Sequence, residues 1–264
     1  MADSSIPFIQ INLHHSKIAS VVLARCAAKM HTKHLFLIQE PWLIKEHIRV
    51  WVAAVSYLKP TMQNDRGPAC DKKTRRCLLP QFSDGDLVAV KLKLKMADGG
   101  VRDLIVGSVY MPYDSEELPP QRNMVELVAY AKEKGLELLL RSDAKSHHLV
   151  WGSTDINPRG ESLLNFVMNI DLQILNRRTE PTFLDSRRQE VIDITLCTRG
   201  VLDLVAGWRV SNEPSGSDHR QIRFDLVRVQ KDEKWGRNPR KANWEGFRAD
   251  LTSRIKNAST RFHT

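Results

Sequence analysis

DLVAVKLKLKMADGGVRDLIVGSVYMP, residues 86–112, decides the fold class of this chain. Its first eleven residues alternate apolar and charged side chains, as an antiparallel strand with one wet face does. Asp98-Gly99-Gly100 predicts a hairpin turn, and VRDLIVGSVY returns. Directly downstream, QRNMVELVAYAKEKG (121–135) is a helix closed by Gly135. LELLLRSD (136–143) follows as a strand that stops on Asp143.

The same reading extends outwards. FIQINL (8–13) is a short strand leading to SKIASVVLARCAAKM (16–30), where Ser16 is a helix N-cap and Ile18, Val21, Val22, Arg25 and Cys26 recur at helical spacing. HLFLIQEPW (34–42) is a buried strand ended by Pro41, VWVAAVSYL (50–58) a further strand, and NDRGPACDKKTRRC (64–77) a basic loop. RGESLLNFVMNI (159–170) is a second clear helix, and LQILN, PTFL, VIDITLC, WRV and QIRFDLV make a strand-rich second half. Strands dominate and helices interrupt them irregularly. An α/β fold of two packed mixed β-sheets flanked by helices is therefore expected, not an all-parallel doubly wound sheet. The domain should span 1–228, with 229–264 a basic linker and a helix beginning near Asn243.

The 264 residues, 42% hydrophobic and 27% charged, suffice for one large domain with a substantial core. The net charge of +9 is uneven, since ten Lys/Arg face four Asp/Glu between Arg228 and Thr264. A basic balance favours a polyanionic partner, either nucleic acid or an anionic membrane surface. Four cysteines without CxxC spacing argue against a zinc ribbon or a disulfide framework and fit a reducing compartment. The N-terminus has no basic region followed by an apolar stretch, and no apolar run approaches the ~20 residues of a membrane span. A soluble intracellular protein is expected.

The apolar runs stop on polar residues: Asn12, Glu40, Tyr110 and Asp143, with Asp193 inside VIDITLC and Ser217-Asp218-His219 last. Ends of neighbouring strands lie side by side, so these stops can form one site. Phosphodiester cleavage needs an activated water, charge neutralisation on the phosphoryl oxygens and leaving-group stabilisation. Mg²⁺ on one or two carboxylates supplies the last two. Glu40 is the leading ligand candidate, because core packing poorly explains an acid before Pro-Trp. A neutral His219 can stabilise or protonate a phosphate, with a carboxylate fixing its tautomer. Asp193, amid Val191, Ile192 and Ile194, would be a costly buried charge without such a partner. The pairs His14-His15 and His147-His148 are read as structural or substrate-lining, since adjacent residues face opposite ways.

The segments IQINLHHSK, FLIQEPW, GSVYMP, SDAKSHHLVWGS with NPRG, LNRRTEPTF, VIDITLC and SGSDHRQIRFDL occur in this order between residue 8 and about residue 228. In them the chain resembles the endonuclease/exonuclease/phosphatase superfamily, and within it the apurinic-like endonuclease domain of non-LTR retrotransposons of the TRAS and jockey type. The resemblance implies a four-layered α/β-sandwich and Mg²⁺-dependent nicking of double-stranded DNA, with Mn²⁺ as a substitute. It implies that Asn12, Glu40 and Asp218 support and bind the metal and that Tyr110 contacts the scissile phosphate. Asp143 would orient or deprotonate the water, and His219, paired with Asp193, would stabilise the phosphate. Thr182 and Ser217 would help hold the site and the DNA backbone. One position departs from the family: an Asn two residues after the Asp is here Lys145, a cation near the phosphate and metal. Reduced activity is expected, with Lys145 repelling the metal or displacing the water; the alternative is that its ammonium binds the phosphate and preserves partial activity.

The leading expectation is thus an endonuclease that leaves a 3′-hydroxyl able to prime reverse transcription, acting in the nucleus and belonging to a polyprotein with a reverse transcriptase. No membrane partner is expected. Two alternatives remain open: a weakened or domesticated DNA-binding fragment, and a same-fold phosphodiesterase or phosphatase on another substrate.

Overall fold

Two mixed sheets lie face to face, each flanked by helices on its outer side. The structure, a computed structural model, describes residues 5–30, 34–44, 47–48, 70–71, 76–177 and 179–227. The expected strand at 50–58, most of the basic loop at 64–77 and the segment 229–264 with its helix lie outside the described residues.

The smaller sheet has strand order Val205–Val210, Ile222–Leu226, Ile6–Asn12, Leu35–Gln39. Ile6–Asn12 runs parallel to Leu35–Gln39 and antiparallel to Ile222–Leu226. The larger sheet runs Gln173–Ile174, Asp193–Cys197, Glu137–Asp143, Val101–Tyr110, Leu87–Lys95, Arg76–Leu78, Cys70–Asp71. Among the described residues its one parallel pair is Val101–Tyr110 with Glu137–Asp143; Leu87–Lys95 and Val101–Tyr110 form the expected hairpin. Two short two-stranded pairs complete the strands among the described residues, Leu43–Ile44 with His47–Ile48 and Phe183–Leu184 with Gln189–Glu190.

Strand periodicity explains the layers, because successive side chains face opposite sides. Ile9, Ile11 and Phe36 face outward onto helix Lys17–Lys29 through Ala19 and Leu23. The helix starts where Ser16 Oγ accepts the N–H of Ala19 at 3.1 Å. On the far side, Leu87, Ile105, Leu138, Leu140 and Ile194 pack against helix Arg122–Glu133 (Met124, Leu127, Val128) and helix Pro158–Asn169 (Leu163, Val167). Helix, sheet, sheet and helices make four layers.

Between the sheets each strand's inner row changes character along its length. Phe8 gives way to Gln10 and Asn12, Leu37 to Gln39, and Leu139 to Arg141 and Asp143. Cys197 gives way to Thr195 and Asp193 in the antiparallel neighbour. The apolar half includes the stacked rings of Phe8 and Phe224, 4.9 Å apart. Each fully buried Leu or Phe there contributes about 1.5–3 kcal/mol relative to exposure. The polar half is partly hydrogen-bonded inside the protein: Thr195 Oγ1 donates to Gln10 Oε1 at 3.0 Å and accepts from Trp208 Nε1 at 3.1 Å. The polar end of this layer opens into the site.

Candidate active site

Three of the expected polar stops end their strands as anticipated, and the ladder places two of them side by side. Asn12, Tyr110 and Asp143 are the last residues of their strands, and Tyr110 and Asp143 are direct partners in the parallel pair. Asp193 stands opposite Asp143 because it opens an antiparallel strand; it starts its strand instead of lying within it. Glu40 lies one residue beyond its strand in a left-handed turn with φ 44°. The loops after Asn12 and Gln39 are tied by Leu13 N–H to Gln39 O (2.9 Å) and His15 N–H to Glu40 O (2.8 Å). That tie puts Asn12 and Glu40 together.

Asn12 is the hub. Its Nδ2 donates to Glu40 Oε2 at 2.7 Å and to Asp143 Oδ2 at 2.8 Å, while its Oδ1 accepts the N–H of His14 at 2.7 Å. With its oxygen held by the backbone, Asn12 presents an amide donor to both carboxylates. Asn12 thus orients both carboxylates, and one lone pair of its own oxygen is taken by the His14 amide.

His219 forms the other half. Its Nδ1 lies 2.8 Å from Asp193 Oδ2, and its Nε2 lies 3.8 Å from Asp143 Oδ2. Arg141, fully buried two residues before Asp143, donates from Nη2 to Asp193 Oδ1 at 2.6 Å. Thr182 Oγ1 accepts the backbone N–H groups of Ile192 (3.1 Å) and Asp193 (3.0 Å), fixing where this carboxylate begins. Burial alone would raise Asp193, but His219 and Arg141 outweigh it and hold it below the usual carboxylate range. Burial would lower His219, yet Asp193 and its hydrogen bond hold the imidazole above its ordinary value. This surrounding favours the charged form of His219 more than an isolated imidazole's would. Asp143 is pushed up by burial and then by Asp193.

Asp143, Asp193 and His219 each offer one ligand atom within 4.8 Å of the others. Both Asp193 oxygens are already engaged, one by a guanidinium and one by the imidazole, so this cluster is a hydrogen-bonded ion network more than a cation cage. Hard oxygen donors suited to a divalent ion stand beside it in Glu40 and Asp218, and Asp143 Oδ1 is buried without a hydrogen-bond partner. Asp218 pairs with His14 Nδ1 at 2.9 Å and accepts from Ser217 Oγ at 3.1 Å. Ser217 Oγ also lies 2.9 Å from the carbonyl oxygen of Asn12. His15 Nε2 is 3.5 Å from Glu40. The histidine pair thus faces two different acids, while His147 sits apart with Asp155 at 2.8 Å.

Lys145 has φ 45° and donates from Nζ to Tyr110 Oη at 3.1 Å. Burial opposes its charge, but the Tyr110 hydrogen bond and Asp143 more than compensate, raising its pKa. Burial raises Tyr110, with Lys145 acting against it. Beside Tyr110 a cleft of about 130 Å³ is lined by Glu40, Gln39, His15, Ser108 and the exposed Asp86. Asp86 is raised by partial burial, Asp84 and Glu40. Sequence reasoning overlooked Asp86 and Arg141. For Arg141 a signal existed: a charge inside the apolar run LELLLRSD, on the same strand face as Asp143.

The strand pair Phe183–Leu184 and Gln189–Glu190 is stitched to this segment. Leu184 N–H donates to Asp218 O at 2.8 Å, and the Phe183 ring meets His219 edge-on at 5.1 Å.

A family model described as endonuclease-reverse transcriptase matches residues 104–223. The solved endonuclease domain of TRAS1, a telomere-specific non-LTR retrotransposon, is 27% identical, with TM-score 0.65 over 86% of this chain and 100% of that one. The Xenopus laevis APE2 catalytic domain is 14% identical, with TM-score 0.55 over 87% of this chain and 94% of that one. The 3′-5′ exonuclease NExo of Neisseria meningitidis is 12% identical, with TM-score 0.51 over 84% and 99%. The latter two share the fold. No curated protein sequence matches the chain. On these matches, the chain has the endonuclease/exonuclease/phosphatase fold, is similar over residues 104–223 to the endonuclease-reverse transcriptase family model, and is similar over most of its length to the endonuclease domain of a non-LTR retrotransposon.

Proposed function

We propose that this chain is a Mg²⁺-dependent endonuclease, with Mn²⁺ able to substitute, that nicks one strand of duplex DNA and leaves a 3′-hydroxyl for target-primed reverse transcription. In this reading it acts in the nucleus as part of a polyprotein with a reverse transcriptase. The observation that carries it is the Asn12 amide, which donates to Glu40 and to Asp143 and so joins the metal half to the acid–base half.

Glu40 and Asp218 would hold the ion, and their oxygen-only donor set fits a hard cation. When bound, the ion supplies charge neutralisation and leaving-group stabilisation. The protein's own groups account for the rest. Asp143, pushed up by burial, is suited to accept a proton from the attacking water. His219, whose charged form Asp193 favours, would present Nε2 to the phosphoryl oxygens. Tyr110 offers its hydroxyl to the scissile phosphate, held in place by Lys145. The half-buried ammonium of Lys145 would repel a divalent ion held by Glu40 and Asp218, which supports reduced turnover.

A labelled duplex tests the product directly. If nicked strands are extended by a DNA polymerase without prior phosphatase treatment, their ends carry 3′-hydroxyls as proposed. Ends that require dephosphorylation refute it. Lys145 also favours a second reading, a DNA-binding fragment without turnover; duplex binding with a steep salt slope and no cleavage even by Lys145→Asn would select that one.

A further inference from the structure

The segment NPRG, residues 157–160, stands outside the acid–base and metal groups yet is built into their support. Asn157 caps helix Pro158–Asn169, its Oδ1 accepting from Gly160 N–H at 2.7 Å and from His147 N–H at 3.1 Å. Gly160 packs so closely that an added Cβ would lie 1.8 Å from His147 O. The helix start is thus pressed against the chain that follows Lys145. Arg159, only 7% exposed, points from this fixed turn into the ends of the two central strands. Its Nη2 donates to Met111 O at 3.1 Å and to Ala144 O at 3.2 Å.

Those carbonyls belong to the residues directly after Tyr110 and Asp143, which are partners in the ladder. Met111 N–H to Asp143 O, 2.9 Å, is the last backbone tie between the two strands. Arg159 adds a further cross-link beyond it. The Ala144 carbonyl is part of the peptide that leads into Lys145, whose left-handed backbone aims the ammonium at Tyr110.

We infer that Arg159 is a positioning residue. By clamping the carbonyls after Tyr110 and Asp143 it sets the spacing between the phosphate-contacting hydroxyl, the water-activating carboxylate and the Lys145 ammonium. The inference rests on the nuclease reading for its consequence in turnover. Its geometric content stands without it.

Arg159→Met and Arg159→Lys test it, studied well below their melting temperatures. A displacement of about 1 Å at the strand ends lowers single-turnover nicking on the order of 100-fold in the Met variant. The Kd for duplex DNA should change less than about twofold, and the Lys variant should be intermediate. Loss confined to Kd, or less than about a threefold fall in rate, overturns the inference. A second readout uses protein labelled with 3-fluorotyrosine, which has four sites: Tyr57, Tyr110, Tyr113 and Tyr130. Arg159 lies 5.8 Å from the Tyr113 ring, so a Tyr113 shift is uninformative; the Tyr110 resonance, identified with Tyr110→Phe, must move. An unmoved Tyr110 resonance sinks the inference. If the wild type does not nick at all, the proposed function fails while the fluorine spectrum still decides the role of Arg159. Should the Met variant not fold, Arg159→Gln takes its place in both measurements.

Discussion

Replacing Lys145 by asparagine tests how the site manages charge. The ammonium donates to Tyr110 and is held charged against partial burial by its neighbours Tyr110 and Asp143. A divalent ion about 6 Å from it would be repelled by about 1.5–3 kcal/mol for an effective dielectric between about 80 and 40, a range that allows for solvent screening of this half-exposed group. That corresponds to about 10- to 100-fold in metal affinity. Stability should move little. Loss of the Tyr110 hydrogen bond costs about 0.5–1.5 kcal/mol. Asparagine tolerates the left-handed backbone at φ 45° better than lysine, recovering a similar amount. Plasmid nicking titrated with Mg²⁺ reads the effect. The half-saturating concentration should fall at least about tenfold in Lys145→Asn, with a higher plateau. An unchanged or raised half-saturation refutes the electrostatic reasoning.

Three further outcomes follow from the same geometry. His219 has a raised pKa, so its charged form adds stability below the ordinary histidine value of about 6.5, lost as pH rises through its higher folded value. Asp193 is depressed, and its contribution is lost as pH falls through its lower folded value. Urea midpoints between pH 6 and pH 9 should therefore decline more steeply for wild type than for His219→Gln; parallel curves would contradict the ion pair. Asp193→Asn leaves the Arg141 guanidinium unpaired and should cost about 3–5 kcal/mol. Adding Arg141→Met should restore much of that stability in urea melts without restoring nicking, and a double mutant no more stable than the single one argues against the pair. Gly160→Ala forces a methyl onto the carbonyl of His147 and should destabilise by about 1–3 kcal/mol; a neutral result means that the close approach at the helix start is wrong.

Much of this was legible in sequence. Alternation in 86–112 gave the hairpin, Ser16 and Gly135 marked helix ends, and the polar stops Asn12, Tyr110 and Asp143 do end strands. Strand direction was not legible. Asp193 opens its strand because the strand runs against Glu137–Asp143, and only that long-range register brings Asp193 opposite Asp143 and Thr195 opposite Arg141. The role of Asn12 likewise depends on an amide whose oxygen is held by the turn at His14, a local bond invisible in residue type. Arg141 read as part of an apolar strand, and its partner lies 52 residues away. The upward push on His219 comes from two carboxylates converging on one ring, which spacing along the chain does not reveal.

Metal-dependent cleavage through the His219–Asp193 and Asn12–Glu40–Asp143 network is the central claim. Conversion of supercoiled plasmid to open circle, followed with and without Mg²⁺ for wild type and His219→Ala, tests it most directly. Slow nicking by wild type only with Mg²⁺, reduced on the order of 100-fold or more in His219→Ala, is the predicted result. Nicking that persists in chelator, or is untouched by His219→Ala, would contradict it.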